Sequence, residues 1–534
     1  MSELEIKQEE IVEEVKKEPI TVEIKYSSFF ATSIIYLSLP VLIFFIFWLK
    51  IGWAIVFSGA LIAAVVLAIK DQGKNDYVKL SDKSNEIRIS PFLLIIMGII
   101  ACLWAFMSGI GEFAWASADH TVRAAVLNDL VNYKWPVVYD MSTQMNPLVS
   151  SSLPEGKATF AYYFTFWLVP ALVGKGFGIV ASRAALVVWS ALGLYLIMIL
   201  ICFTQKRASF SAAALFIFFG GFDIVPYYIQ TSIMNSYSTW EGWNTEMWIH
   251  GNFYQTMNTF HQCIPGWLIT LLLIDSRNNR HVGTTASLMF CYSPWATIGI
   301  FPIAIYELLA SKWKDAKGKY NFKNVVSYGN LVIPVIVLAV FALFYTANGK
   351  ATAIKGFIWK YFDTPGHLLL AYVGYVLVEF GIWAIIIYKD NSKNPLYWVA
   401  LITLIVFPIY KMSEANDLLM RGTLPPMVVI FVLVLSRFDA VNDRFKKRGK
   451  NNDFKALGFF GIVFVMAITP FFFMTTEIGA TREIYNGTDT SVQPQDEIVS
   501  FGNIVNEEYT EVTDRQFFVF EYEDKLFYQV FGKS

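Results

Sequence analysis

Four polar groups in this sequence carry residue types that could do chemistry. The first is the run "ADHTVRAAVLNDLVNYKWPVVYD", which sets Asp119 beside His120, places Arg123 four residues after Asp119, and adds Asp129 ten residues after it. On a helix Asp119 and Arg123 share a face. They can therefore form a plain intrahelical ion pair, while an ionisable group near a membrane also points to a functional role for Asp119. His120 is open to either a structural or a substrate-binding role, while Asp129 reads as a helix-surface residue and "KWPVVY" as an interfacial anchor with a turn. The second group is Asp223 in "GGFDIVPYY", a lone carboxylate that could cap a helix or orient an active-site group. The third is "WNTEMWIHGNFYQTMNTFHQCIPGW", which places Glu246, His250, His261 and Gln262 among aromatics. Aromatic faces with a few amides and imidazoles suit sugars, through CH–π contact and directional hydrogen bonds, although an interfacial aromatic belt explains the tryptophans equally well. The two histidines and the glutamate match no standard metal-ligand spacing. The fourth is "KMSEANDLLMRGTLPP", where Glu414, Asp417 and Arg421 fall on one helical face. An arginine flanked by acids suits a phosphate or pyrophosphate, which it can bind bidentately, and a salt-bridged helix end is the plainer alternative.

Other chemistries find no support. The sequence has no P-loop, no GxGxxG after a strand, no HExxH and no GxSxG. Cys102, Cys202, Cys263 and Cys291 all lie in apolar segments, without a CxxC, and read as small buried hydrophobes. A net charge of −1 with no basic domain argues against nucleic acid as a partner. Two ionisable residues, Arg183 and Glu379 (in "LVEFGIW"), fall within apolar segments. They are the thin basis for a transporter, which ordinarily carries more titratable groups along its path.

These residues must be positioned by membrane helices. Of the 534 residues 55% are hydrophobic and 16% charged, and the mean hydropathy is +0.47, whereas a soluble domain has about 25% charged residues. Spans of about 20 apolar residues are expected at 29–49, 52–70, 91–110, 178–203, 211–229, 261–275, 283–310, 325–347, 367–388, 395–411, 424–437 and 456–475. The stretch 158–174 is ambiguous, and 283–310 is interrupted by "YSPW", where proline disfavours a straight helix. Lysine and arginine concentrate in cytoplasmic loops. The clusters around Lys70 to Arg88, Lys206–Arg207, Arg277–Arg280, Lys312 to Lys323 and Arg444 to Lys450 can all face the cytoplasm on two conditions. Residues 158–174 must not cross, and 283–310 must be a hairpin broken near Pro294. The fold class that follows is an all-α polytopic membrane protein with about 12–14 transmembrane helices. Residues 1–28 form a charged cytoplasmic tail rather than a signal peptide, 29–475 the membrane domain with 110–177 as its first large external loop, and 476–534 an acidic extracytoplasmic tail. The end of that tail, "RQFFVFEYEDKLFYQVF", alternates aromatic and polar residues like a pair of short strands.

The pattern resembles the GT-C superfamily of membrane glycosyltransferases, which use polyprenyl-phosphate-linked sugars. An acid sits in an early external loop (Asp119), followed by an amphiphilic stretch, "KATFAYYFTFWLVPALVGKGFGIVASR", that is similar to a juxtamembrane helix. The words "FGGFDIVPYY", "HQCIPGWLITLLL", "CYSPWATIGIFP" and "NDLLMRGTLPP" are similar to those of bacterial polytopic proteins regarded as glycosyltransferases of surface polymers. The likeness covers most of 91–437. It implies a GT-C-like fold and, with inversion, transfer of a sugar from a polyprenyl phosphate (undecaprenyl phosphate in bacteria) to a cell-wall polysaccharide, teichoic acid or lipid-linked glycan outside the plasma membrane. By the same resemblance Asp119 is the base or acceptor-orienting group, and Arg421 stabilises the leaving phosphate, with Arg123 and His261 behind it. The chain departs from the family pattern in having two helices before the one entering the loop, and in lacking a second acid next to Asp119. Dependence on a divalent metal is left open. A lipid-linked oligosaccharide flippase and a non-catalytic scaffold are the alternatives of other classes.

Overall fold

A computed structural model describes residues 20–72, 85–117, 119–140, 156–244, 246–310, 313–314, 319–348, 354–413, 415–448, 453–487 and 517–533. Glu414, most of the N-terminal tail and residues 488–516 of the acidic tail lie outside the described residues. The described chain is predominantly helical, and seven of its helices are long and apolar enough to cross a membrane. They are Tyr26–Trp48, Ile51–Asp71, Ile179–Thr204, Phe322–Thr346, Pro365–Asn391, Leu424–Lys447 and Phe454–Asn486. Pro91–Met107, Pro294–Leu309 and Pro395–Ile409 are shorter apolar helices. Without water in hydrocarbon the backbone must satisfy its own hydrogen bonds, so long apolar runs become helices. The protein is membrane-embedded on this evidence. Its exposed apolar side chains, such as Ile55, Phe92, Val188 and Leu370, lie on the outer faces of these helices, where lipid rather than water is the neighbour.

The helix ends gather polar contacts into two groups. At one end Asp71 pairs with His281 (3.0 Å) and Arg280 (3.9 Å), Arg277 lies 3.5 Å over the Tyr26 ring, and Arg207 pairs with Asp443 at 3.0 Å. There Val22–Lys25 and Glu86–Ile89 form a two-stranded antiparallel sheet. At the other end the turn after Trp48 meets the C-terminus, the Lys533 amide donating to the Trp48 carbonyl at 2.8 Å. A three-stranded antiparallel sheet joins Val138–Asp140, Lys157–Phe160 and Phe518–Phe520 at this loop end. Below it Phe44, Phe164, Phe344 and Phe527 pack ring to ring, tying four distant segments together.

Both conditions set by the charge pattern appear in the structure. After the strand Lys157–Phe160 the amphiphilic stretch becomes a short turn, Thr165–Trp167, and the helix Leu168–Phe177. Ten residues rise only about 15 Å, too little to cross, and the helix packs on the start of Ile179–Thr204, where Ser182 donates to the Pro170 carbonyl at 2.8 Å. The segment 283–310 is a hairpin, Val282–Ser287 and Leu288–Cys291 on one limb and Pro294–Leu309 on the other. Ser293 caps the returning limb by accepting from the Ala296 amide, and Asn279 donates to the Leu308 carbonyl where the feet meet.

Other expectations need correction. The span expected at 211–229 is broken into Phe210–Ile217 and Ile224–Tyr228, the latter continuing as a π-helical turn, Ile229–Ile233. The break falls at Gly220–Gly221, and a Cβ on Gly221 would lie 2.8 Å from Glu379 Oε2 and 3.0 Å from Asp223 Oδ2, so buried carboxyls press on the backbone there. The last helix runs to Asn486 instead of ending at 475; its 33 residues span about 50 Å and carry it past the apolar layer. The C-terminal end is not a pair of strands. Among the described residues of this segment Phe518–Phe520 is the one strand, and it pairs with Lys157–Phe160, while Leu526–Val530 is helical.

Candidate functional site

The helix Asp119–Asn132 opens the site. Asp119 and Arg123 form the ion pair their spacing allows, Oδ2 to Nη2 at 2.8 Å; the Asp119 side chain is 56% exposed and that of Arg123 only 9%. The acid thus faces outward while the guanidinium lies inside, its Nη1 reaching the Met257 carbonyl at 3.5 Å. His120 Nε2 lies 2.6 Å from that same carbonyl, so Nε2 carries the proton. Burial, reinforced by Arg123, holds His120 down to about 3, so the ring is neutral at ordinary pH. Asp129 is fully buried and accepts from the Tyr139 hydroxyl at 2.7 Å, which fastens this helix to the sheet. The helix-surface reading of Asp129 is therefore corrected to a buried structural one.

His261 and Gln262 come from the helix Asn252–Ile274, whose regular geometry breaks at Thr259 (φ −144°, ψ 36°). Beyond the break His261 lies against Trp167 (4.5 Å between rings) and stacks on Tyr163 (5.8 Å, 15°). Its Nε2 is 3.1 Å from the Gln262 amide nitrogen. A donor amide there leaves Nε2 as acceptor and puts the proton on Nδ1, which has no partner. Asp417 and Arg421 lie one turn apart on the short helix Asp417–Gly422, with 3.6 Å between Oδ1 and Nη2. Arg421 is buried, and among the described residues its Nε and Nη1 find no hydrogen-bond partner. The next residue is closely packed: a Cβ on Gly422 would run into the Phe407 ring, and a Cβ on Gly299 would run into the Gly422 carbonyl. Arg123 and Arg421 are within electrostatic range of each other, and both act on Tyr162 or Tyr163. Two cations, one acid edge and an aromatic wall (Tyr162, Tyr163, Trp167, His261) thus come together from four segments of the sequence.

A second group adjoins it. His250 Nδ1 lies 2.8 Å from Glu241 Oε2, and the Trp248 indole points at His250 Nε2, which sets the proton on Nδ1. Burial and Arg421 hold His250 at about 3; burial, then the Asp223 carboxylate, pushes Glu241 up. Asp223 accepts from the Trp243 indole at 2.9 Å and abuts Glu379, which is fully buried within its helix. Glu246 stands apart from both groups, since Lys411 Nζ lies 2.5 Å from its Oε2 and Asn416 donates to its carbonyl. Its charge is committed to a salt bridge. Among the described residues no set of three or more His, Cys, Asp or Glu side chains is arranged to hold a metal ion.

Glu112 was missing from the sequence-derived candidates. It ends a turn in which Gly109 (φ 72°), Gly111 (φ 79°) and Glu112 itself (φ 59°) are left-handed. Such a conformation is costly for glutamate and needs support from its surroundings. Arg183 supplies it, donating from Nε to the Gly111 carbonyl and from Nη2 to the Glu112 carbonyl, both at 2.8 Å, with Glu112 Oε2 at 3.4 Å from Nη2. This pair lines a small cavity together with His120, Arg123, Leu127 and Phe260. The glycine alternation in "SGIGEF" was the available signal. Comparison of the chain with protein-family models, with curated proteins and with solved structures returned no match.

Proposed function

We propose that this chain is an integral-membrane glycosyltransferase of the GT-C type, moving a sugar from a polyprenyl-phosphate donor to a glycan or glycolipid acceptor. The observation that carries the reading is Arg421, a buried guanidinium with two partnerless nitrogens beside a second buried arginine, at the loop end of a membrane bundle. A buried cation without full compensation is costly, and an anion delivered by the bilayer removes that cost. A lipid phosphate is such an anion. The wall of Tyr162, Tyr163, Trp167 and His261 suits the sugar ring, and the outward carboxylate of Asp119 suits the acceptor hydroxyl. In the reaction the acceptor oxygen attacks C1 and the bond from C1 to the phosphate oxygen breaks with inversion. The electron pair leaves on the polyprenyl phosphate, whose added charge Arg421 stabilises. The charge pattern of the loops supports a plasma-membrane location with the N-terminus cytoplasmic and this site outside.

The buried carboxyls Asp223, Glu241 and Glu379 favour a second reading, a flippase or transporter for a lipid-linked glycan, since ionisable groups at membrane depth line substrate paths. One assay separates the two. Purified protein in vesicles, given a radiolabelled polyprenyl-phosphate sugar and an acceptor glycan, releases polyprenyl phosphate if it is a transferase. Asp119→Asn then loses transfer while donor binding persists. Label that crosses the bilayer with the sugar still on its carrier establishes the transport reading instead. Full activity in Asp119→Asn removes Asp119 from the site.

A further inference from the structure

Transfer to a hydroxyl needs a group that takes the hydroxyl proton as the new bond forms. Asp119 has one oxygen committed to Arg123 at 2.8 Å and lies at the outer edge of the site. Glu112, seven residues before Asp119, is a second carboxyl beside this site, and its placement has three independent features. It is buried, with no hydrogen-bond donor on Oε2 and Arg183 only at ion-pair distance. It is held there by a left-handed turn that Gly109 and Gly111 permit and Arg183 clamps. It lines a small cavity together with His120 and Arg123, the arginine that also pairs with Asp119.

We propose that Glu112 is a further catalytic carboxyl of this site, the one that receives the acceptor proton, while Asp119 orients the acceptor and fixes Arg123. The inference rests on the transferase reading above. The acceptor oxygen's lone pair forms the bond to C1, and the bond from C1 to the phosphate oxygen breaks with its pair on the phosphate. The proton of the acceptor hydroxyl ends on the Glu112 carboxylate. The charged and titratable groups facing Glu112 are Arg183 from the Ile179–Thr204 helix and His120 and Arg123 from Asp119–Asn132. The Pro91–Met107 helix contributes none, and the end of Phe454–Asn486 touches the loop beyond it, at Phe113 and Trp115. Burial pushes the Glu112 carboxyl to about 7 against the opposing pull of Arg183, a range in which it can both accept and release a proton. The strained backbone and the buried ion pair are then the means of holding a carboxyl where it titrates near neutrality.

The test combines kinetics with a readout that does not need turnover. In wild-type protein kcat rises with pH through a midpoint near 7. Glu112→Gln loses that limb and falls about 100-fold or more, with donor KM unchanged, and Glu112→Asp keeps the limb with a shifted midpoint. pH-difference infrared spectroscopy of the full-length protein shows a protonated-carboxyl band titrating in the same range, and Glu112→Gln loses one component of it while the other buried carboxyls keep theirs. The inference is overturned if Glu112→Gln transfers within threefold of wild type, or if it retains the limb. It is also overturned if Glu112→Gln leaves the amplitude of that infrared band unchanged. If Glu112→Gln fails to fold, an unshifted limb in Glu112→Asp overturns it as well. Wild-type protein that shows the band but transfers no sugar points to failure of the transferase reading and not of the Glu112 titration.

Discussion

Arg421→Met separates a ligand-binding arginine from a structural one, because the two roles move stability in opposite directions. Arg421 is buried; among the described residues its one ion-pair partner is Asp417 at 3.6 Å, and Nε and Nη1 have no partner. A hydrogen bond to a charged group contributes about 1.5–3 kcal/mol, so two nitrogens engaging a phosphate provide about 3–6 kcal/mol. Removing them should lower donor kcat/KM by about two to four orders of magnitude, at about 1.4 kcal/mol per tenfold. The folded state should not suffer equally. Replacing an under-compensated buried charge with an apolar side chain of similar length is commonly neutral, or stabilising by about 1–4 kcal/mol. Arg421→Met is therefore expected to unfold at the same temperature as wild type or higher, while its use of donor collapses. Arg421→Lys keeps the charge and loses the planar fork, and should fall between. The assay is donor titration in reconstituted vesicles, paired with thermal unfolding in the same detergent. Donor kcat/KM within threefold of wild type would refute the reasoning. A loss of stability beyond about 3 kcal/mol would refute it too, because it would show the guanidinium to be a structural tie.

Further outcomes follow from the same contacts. His120 and His250 are both held at about 3, below the free value of about 6.5. Their contribution to stability is fully present above about 6.5 and is lost as pH falls toward 3, on the order of a few kcal/mol for each ring. The buried carboxyls Glu112 and Glu241, held above their free values, act with the opposite sign, so the test is a difference: the melting temperature of wild type relative to His120→Asn should fall from pH 7 to pH 4. Lys411→Met leaves Glu246 beside an apolar side chain and should cost about 3–5 kcal/mol, most of it recovered in Lys411→Met/Glu246→Leu; a double mutant as unstable as the single one contradicts this. Tyr528→Phe removes a 2.6 Å hydrogen bond to Thr159 and should lower stability by about 1 kcal/mol, measured by denaturation. Tyr237, 93% exposed at the loop end, should react from outside intact cells as a cysteine, whereas Lys393→Cys, in the turn after Pro365–Asn391, should not; the reverse pattern inverts the topology.

Hydrocarbon made much of the fold legible, since a long apolar run in lipid has little choice but helix. Lysine and arginine placement then forced 158–174 to stay on one side and 283–310 to turn back, and both appear in the structure. Local spacing likewise disclosed the Asp119–Arg123 and Asp417–Arg421 pairs, each one helical turn apart. Legibility stopped where the partner is remote. Lys411 lies 165 residues from Glu246 and Tyr528 lies 369 from Thr159, and hydropathy carries no trace of either pairing. The C-terminal aromatics alternated as a strand would, yet Phe527 and Tyr528 lie on a helix, where Phe527 fills a ring cluster beside Phe44 and Phe344. Glu112 was obscured for another reason. Its role depends on a backbone conformation that only the clamp from Arg183, 71 residues on, makes affordable.

The distribution of these remote ties bears on how the site is kept. Nearly every segment contributing a functional side chain is short or irregular: a 3-10 turn at Ile110–Glu112, the loop at Tyr162–Tyr163, a broken helix at Thr259, and the six-residue helix Asp417–Gly422. None would hold its geometry alone, since a single helical turn is unstable in isolation. Specific contacts fasten this part of the molecule to its neighbours. Arg183 holds Gly111 and Glu112, the Met257 carbonyl holds His120, Gly299 admits Gly422, and Thr165 donates to the Cys291 carbonyl at the hairpin tip. The strand Phe518–Phe520 then closes the arrangement from the C-terminal side, next to the Tyr162–Tyr163 loop through the Ala161 amide and the Phe517 carbonyl. Rigid spans set positions, and the polar turns between them are free to carry chemistry that a regular transmembrane helix could not present. On that logic, changes to these fastening contacts should damage turnover before they damage folding, because the spans survive without the turns and the turns do not survive without the spans.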